Sequence, residues 1–416
     1  MKNNLPDAQR NPAPKYERPN NIPVPALTPR ELSQRLEEIK AFVAGNRQSL
    51  SVVATTRTKS GQEIDWIRPE SQIKGGKLAS PPPTHNDIST DPERPTSLAG
   101  FELETDKDAR GPEGCVPVMR VNVEQLGAMR SRSLQDYLSK HGSPARLLQL
   151  KGDTVIPLPG DNFDHRYATS IQTVNCYGGE GYINVWKPYV QWSTEMSLGQ
   201  IAISRGSIQQ NKLQTVEAGW QVCPSLYNDW DAHIFSFYTI NNYTELGNNK
   251  GGYNRCVTGW KQVSTTIFPG AKLSPTSVFN GLQREMPVKY QLYQGNWWLR
   301  VMGEWIGYYP ASLFSSSGLK TMASAIRFYG EVADDPNQAG STKTDMGSGA
   351  WPSPVGFSQV AYMRNLRYQS TSGGTMQRYK PQIVTANWPY GYGILGDFLN
   401  INFWQSQFWW GGPGIS

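Results

Sequence analysis

From residue 165 to the end of the chain, short aromatic and β-branched runs follow one another, separated by Gly, Asn, Pro and Ser. No helical period interrupts them. The candidate strands include YINVWKPYV, MSLGQIAIS, TVEAGWQVCP, AHIFSFYTI, WKQVSTTI, KYQLYQ, WWLRVMG, EWIGYYP, AIRFYGEVA, QVAYMRNLRY and FLNINFWQ. MGEW fits a tight hairpin turn between two aromatic strands. Many short strands without helices between them predict a mainly β fold, an antiparallel sandwich or barrel.

The preceding part of the chain reads differently. Residues 1–164 carry 22 Lys+Arg and 21 Asp+Glu, whereas residues 165–416 carry 18 and 13, and 13 of the 14 tryptophans lie in the second part. A boundary near residue 160 follows. Residues 1–27, rich in Pro and Asn, read as extended or disordered. TPRELSQRLEEIKAFVAG reads as a helix with Thr28 as N-cap, Pro29 at N1 and Glu31 closing a capping box. Leu32, Leu36, Ile39 and Val43 form its stripe, and Gly45 is placed to stop it. Short strands are expected at 50–57 and 62–68, a linker-like loop at 80–95, a strand in GCVPVMRVNV and a short helix in SLQDYLSKHG. Residues 28–149 thus read as a small α+β unit, and residues 150–164 as a turn-rich connector.

Composition excludes several function classes. The net charge of +6 is not gathered into a basic block, so no nucleic-acid partner is expected. No apolar run reaches 18 residues, so neither a membrane helix nor a membrane partner is expected. The start has no apolar stretch of the kind a signal peptide needs; either the protein is cytosolic or a leader preceded this numbering. Cys115, Cys176, Cys223 and Cys256 lack metal-type spacing, and one or two disulfides or buried thiols are both open. Four scattered histidines (His85, His141, His165, His233) offer no metal cluster and are read as structural. A Cys–His nucleophile would pair Cys223 or Cys256 with His233, but buried structural cysteine is the commoner case. No cofactor is called for.

The carboxylates say more, because residues 165–416 hold only 13 of them. Two sit inside apolar strands: Glu217 in TVEAGWQV and Glu331 in AIRFYGEVA. Glu217 shares its face with Gly219 and Gln221. Glu331 shares its face with Arg327 and Tyr329. Gly219 leaves space beside Glu217. Both are either solvent-facing strand residues or paired carboxylates in a cleft on the sheet. Paired carboxylates in a low-dielectric site cannot both ionise easily, so one keeps a proton and the other activates water.

Several segments, in this order, resemble the neprosin family of glutamic prolyl endopeptidases: HRYATS, YINVWKPYV, MSLGQIAI, VEAGWQVCPSLYND, YNRCVTGW, GNWWLRV, WIGYYPASLF, YGEV, TDMGSGAWP and FWWGGPG. They run from His165 to the C-terminus. More weakly, GQEIDWI and PEGCVPVMR resemble the family's N-terminal activation peptide. The resemblance implies a β-sandwich catalytic domain with Glu217 and Glu331 facing each other as the catalytic pair, preceded by a pro-region. It implies hydrolysis of peptide bonds after proline at acid pH without a metal, proline-containing peptide or protein substrates, and secretion. Relatives often have a cysteine pair around the Y-N-x-x-C segment. Gly252 stands at the first of those positions, which leaves Cys223 or Cys176 as substitutes to pair with Cys256.

On this reading one glutamate draws a proton from water while the other hydrogen-bonds the scissile carbonyl. Tyr329 is the substrate-binding candidate for proline, and maturation after Pro157 or Pro159 is a further expectation. The rival is a carbohydrate-binding or carbohydrate-active sandwich, which Trp-rich sheets also suit. Asn242-Tyr-Thr244 is a candidate glycosylation sequon.

Overall fold

The computed structural model describes residues 28–83, 98–101, 103–104, 109–121, 138, 149–151, 154–156, 164–335, 340–354, 356–399 and 404–415. The N-terminal helix Pro29–Gln48 begins as its sequence dictates. The Thr28 hydroxyl accepts from the Glu31 amide at 3.3 Å, and the Glu31 carboxylate accepts from the Thr28 amide at 2.9 Å. It does not stop at Gly45. One more turn runs to Gln48, and that turn places buried Asn46 so that its side-chain amide donates to the Cys256 carbonyl at 2.8 Å. A tertiary contact outweighs the helix-breaking tendency of glycine here. Three short strands, Val52–Arg57, Glu63–Ile67 and Val116–Met119, form an antiparallel sheet beside it. The expected helix at 133–142 lies outside the described residues except for Leu138, which is helical and buried. The connector is less irregular than expected, since Gln149–Lys151 pairs with Thr154–Ile156. Pro157 and Pro159 lie outside the described residues.

From Asp164 onward two antiparallel sheets pack face to face, so the fold is a sandwich and not a closed barrel. Among the described residues one sheet runs, edge to edge, through Gly251–Tyr253, His233–Thr239, Gln214–Val222, Met196–Arg205, Ala323–Asp334, Asp164–Cys176 and Ile383–Ala386. The other is built on Glu304–Pro310, Asn296–Val301, Gln283–Tyr293, Gly178–Asn184, Ala361–Gln369 and Gln407–Gly411. The MGEW turn is as expected: Met302 and Gly303 both take positive φ, 51° and 86°, as a two-residue hairpin of the favoured hand requires. FLNINFWQ differs from expectation. Its described residues are not strand, and the neighbouring Gly393–Asp397 and Gln407–Gly411 pair instead.

One packing contact ties the sheets together beside Glu331. Gly199 and Gly330 are cross-strand partners on the core face of the first sheet. The Trp410 ring from the second sheet lies over both. A Cβ on Gly330 would lie 2.1 Å from that ring, and one on Gly199 would lie 2.8 Å from it. The Trp220 ring lies 6.1 Å from Trp410, and its indole N–H donates to the Asn184 carbonyl across the sandwich at 2.9 Å. The two glycines are therefore a slot for a tryptophan. Gly330→Ala should overpack it, lowering stability by about 1–3 kcal/mol, a denaturant-midpoint shift measured by urea unfolding.

Two buried acids lie near the Ala323–Asp334 strand's end. Glu195 is pushed up to about 8, chiefly by burial and also by the Asp334 charge, against hydrogen bonds from Thr344 and Thr342. Asp345 is pushed up to about 7 by burial, against a hydrogen bond from the Tyr189 amide. In an unfolded chain both ionise near 4.5 and 3.8. Folding therefore disfavours their charged forms, and their stability contribution is whole in acid and lost as pH rises through about 4 to 8. The melting temperature should be higher at about pH 4 than at about pH 8, and Asp345→Asn should flatten that difference in scanning calorimetry.

Candidate active site

The Glu217 strand (Gln214–Val222) and the Glu331 strand (Ala323–Asp334) are both hydrogen-bonded to the strand between them, Met196–Arg205. Strand register places Glu217 and Arg327 opposite Ala202, Gly219 and Tyr329 opposite Gln200, and Gln221 and Glu331 opposite Leu198. Cross-strand partners share a face, so these side chains form one grid on the side turned away from the sandwich core. Gln200 is its centre, with the two glutamates at opposite corners. Gly219 does not open a void: a Cβ there would lie 2.0 Å from the Gly199 carbonyl oxygen and 2.9 Å from the Gln200 Cβ. Close approach of the middle strand, which brings Gln200 beside Glu217, fills the space expected there.

Neither glutamate faces solvent. Both are 0% exposed. A buried carboxylate needs polar partners: Glu217 has three donors, and Glu331 meets the His165 ring. Glu217 Oε1 accepts from the Thr215 hydroxyl and the Tyr243 hydroxyl, each at 2.6 Å, and Oε2 accepts from the Gln200 side-chain amide at 3.0 Å. Thr215 lies two residues back on the same strand and face. Tyr243 arrives on a loop whose residues 242 and 243 both have positive φ, 56° and 60°. A bulky side chain in the left-handed region is uncommon, and the contact it secures here is the one to Glu217. Glu331 Oε1 lies 2.8 Å from His165 Nδ1, in a pair that is buried on both sides. His165 begins the outer neighbour of the Glu331 strand, Asp164–Cys176.

Tyrosines surround the pair. Tyr329 lies between the glutamates' rungs, with its ring edge-on to Tyr167 at 5.8 Å. Tyr253 packs edge-on to Phe237 at 4.9 Å. Burial pushes the phenols of Tyr243, Tyr253 and Tyr329 well above their ordinary range, and the charges of both Glu217 and Glu331 push each of them further. They are neutral donors throughout the range in which carboxylates titrate. Arg327, on the Glu217 rung, is a buried cation lowered by desolvation.

Other candidates from the sequence are not brought to this grid. His233 is engaged on both ring nitrogens, by the Gly270 carbonyl at 2.9 Å and by Asp229 at 2.9 Å, so it is no partner for a cysteine nucleophile. The four cysteines are buried thiols rather than disulfides. Burial pushes Cys176 and Cys223 up to about 12, which makes them unreactive. Asn242 is buried and donates to Asn211, so the sequon cannot carry a glycan without rearrangement. No group of three or more His, Cys, Asp or Glu suited to a metal ion occurs among the described residues.

Thr215, Gln200, Tyr243 and His165 were not singled out by the sequence. Only Gln200 left a sign, as a lone amide inside an apolar strand. The Asp164–Cys176 strand carries too many polar residues to read as buried, and His165 is one histidine among four.

A solved scytalido-glutamic peptidase, bound to a peptide-based transition-state analogue, aligns with 12% identity over 60% of this chain and 98% of its own, with a TM-score of 0.31. SCP-B, a member of the eqolisin family of peptidases solved with the tripeptide Ala-Ile-His, aligns with 11% identity over 60% and 98%, with a TM-score of 0.27. Superpositions this loose fix no residue correspondence. The neprosin family model matches residues 193–413, a segment that holds both glutamates, Gln200, Tyr243, Tyr329 and Trp410. That segment is more than half of the sequence, and the chain belongs to the neprosin family.

Proposed function

We propose that this glutamic-type peptidase of the neprosin family is an endopeptidase that cleaves peptide bonds after proline in acid, with Glu217 and Glu331 as its catalytic pair. The observation that carries the reading is the shared burial of two carboxylates on one sheet face, each with its own polar partners and both acting on the same tyrosines. Two such groups compete for ionisation, so the pair holds one proton over an acid range. The ionised member takes a proton from water as that water attacks the scissile carbonyl carbon. The protonated member donates to the carbonyl oxygen and stabilises the tetrahedral oxyanion. The proton taken from water then goes to the departing amine. Gln200, Thr215 and Tyr243 orient Glu217 throughout. Tyr329, neutral over this range, offers a flat wall for proline.

The same proposal makes residues before 165 a pro-region and the protein a zymogen. Zero exposure of both glutamates describes a closed site. The N-terminal part touches the edge strand Gly251–Tyr253 of the site sheet, the edge strand Lys261–Gln262 of the other sheet and the loop at Gly270. The Leu138 carbonyl lies beside Gly252, where an added Cβ would sit 3.6 Å from it. Gln72 and Gln262 exchange backbone and side-chain hydrogen bonds at 2.8 Å, and Gln62 donates to the Gly270 carbonyl at 2.6 Å. Acid would release this cover, with cleavage in the connector. Substrates would be proline-containing peptides or proteins. Action outside the cell goes with the family; among the described residues no helix is long and apolar enough to cross a membrane.

Mass spectrometry tests this. A peptide with one internal proline, incubated with the full chain at about pH 3 and about pH 7, should be cut after proline only in acid, where a coupled carboxyl pair holds a proton. The chain should lose its N-terminal part at the same time. Glu217→Gln and Glu331→Gln should each lower the rate at least ~100-fold. A folded wild-type chain that leaves the peptide and itself intact would refute the proposal, and polysaccharide binding would then be the reading to test.

A further inference from the structure

Beside the grid stands a histidine with no place in a mechanism of two glutamates and water. His165 is buried, and its Nδ1 lies 2.8 Å from Glu331 Oε1. Its Nε2 is buried without a hydrogen-bond partner among the described residues. Burying an imidazole with one unsatisfied nitrogen costs stability, so the contact to Glu331 is what the position secures. The ring and the backbone of His165 each have a neighbour. It lies parallel to the Tyr167 ring at 6.1 Å, and its own backbone carbonyl accepts from the Asn387 side chain at 2.8 Å.

The two glutamates are held by chemically different partners. The hydroxyls of Thr215 and Tyr243 can accept as well as donate, so Glu217 can take a proton and keep its contacts. An imidazolium only donates. A carboxylate in contact with one resists protonation, because the pair would lose both its charge attraction and its hydrogen bond.

We propose that His165 is the positioning residue of Glu331, holding it as a carboxylate in acid, so that Glu331 is the water-activating member of the pair and Glu217 the proton-carrying one. The inference rests on the glutamic-peptidase reading above. The ionisable groups facing this contact are the phenols of Tyr167 on the same strand, Tyr329 on the Glu331 strand, and Tyr243 and Tyr253 on the flanking loop and edge strand. Glu217 and Arg327 face it across the grid. Arg166, on the opposite face of the His165 strand, is paired with Asp334 at 3.2 Å. Tyr243, Tyr253 and Tyr329 stay neutral in acid.

The test compares kcat/KM from about pH 2 to about pH 7 in wild type, His165→Ala and His165→Gln. Loss of the imidazole should move the acid limb of the profile up by about one pH unit or more, the size expected when a carboxylate loses a charged neighbour. His165→Gln restores a neutral donor. It should recover much of the rate at the optimum while the limb stays displaced. A rate that falls equally at every pH, with the limb unmoved in both variants, would make His165 merely structural and overturn the inference. If wild type cleaves no peptide, the peptidase reading fails instead. The hold on Glu331 is then read by infrared titration of the carboxyl band that disappears in Glu331→Gln. An upward displacement of that titration in His165→Ala supports the hold, and no displacement overturns it.

Discussion

Burial of two carboxylates on one face of one sheet is the constraint on which the rest of the molecule depends. Removing a charged group from water costs several kcal/mol even after relaxation, and only well-placed donors offset that. The sheet supplies them by register. Alternation along the Glu217 strand brings Thr215 to the same face, the middle strand brings Gln200, and the outer neighbour of the Glu331 strand brings His165. The remaining donor, Tyr243, comes from a loop in an unfavoured backbone conformation. On the far side of the same strands, Gly199 and Gly330 admit Trp410, which fixes the position of the sheet that carries the glutamates.

The chemistry of the surroundings favours acid. Glu195 and Asp345 are more stably buried when protonated, so the fold is firmest where the proposed reaction runs. The tyrosines nearest the glutamates have phenols far from their titration range. They shape the site without adding charge, and Tyr243 donates a hydrogen bond to Glu217. The second part of the sequence also holds only 13 carboxylates, so few native charges are there to be lost in acid.

The sandwich was legible because its strands are short, apolar and separated by turn residues. Both glutamates were legible because they break an apolar pattern at positions of opposite parity to the core residues. Their burial was not. A strand pattern says which face a side chain takes but not what lies over that face, and here tyrosines lie against the glutamates. His165 was hidden for a related reason: its significance comes from pairing with a residue 166 positions away. The helix that passes Gly45 and the cysteines that remain thiols show the same limit. For the helix, a contact remote in sequence, Asn46 to Cys256, settles what local preference leaves open.

The claim that Glu217 and Glu331 are one catalytic unit is tested most directly by a double-mutant cycle on kcat/KM in acid, with Glu217→Gln, Glu331→Gln and the double variant. Groups that share one proton and one water fail together. The double variant should lose no more activity than the more damaging single variant, within a factor of ~10. Losses that multiply across the cycle would mean that the two glutamates act independently, and would contradict this account.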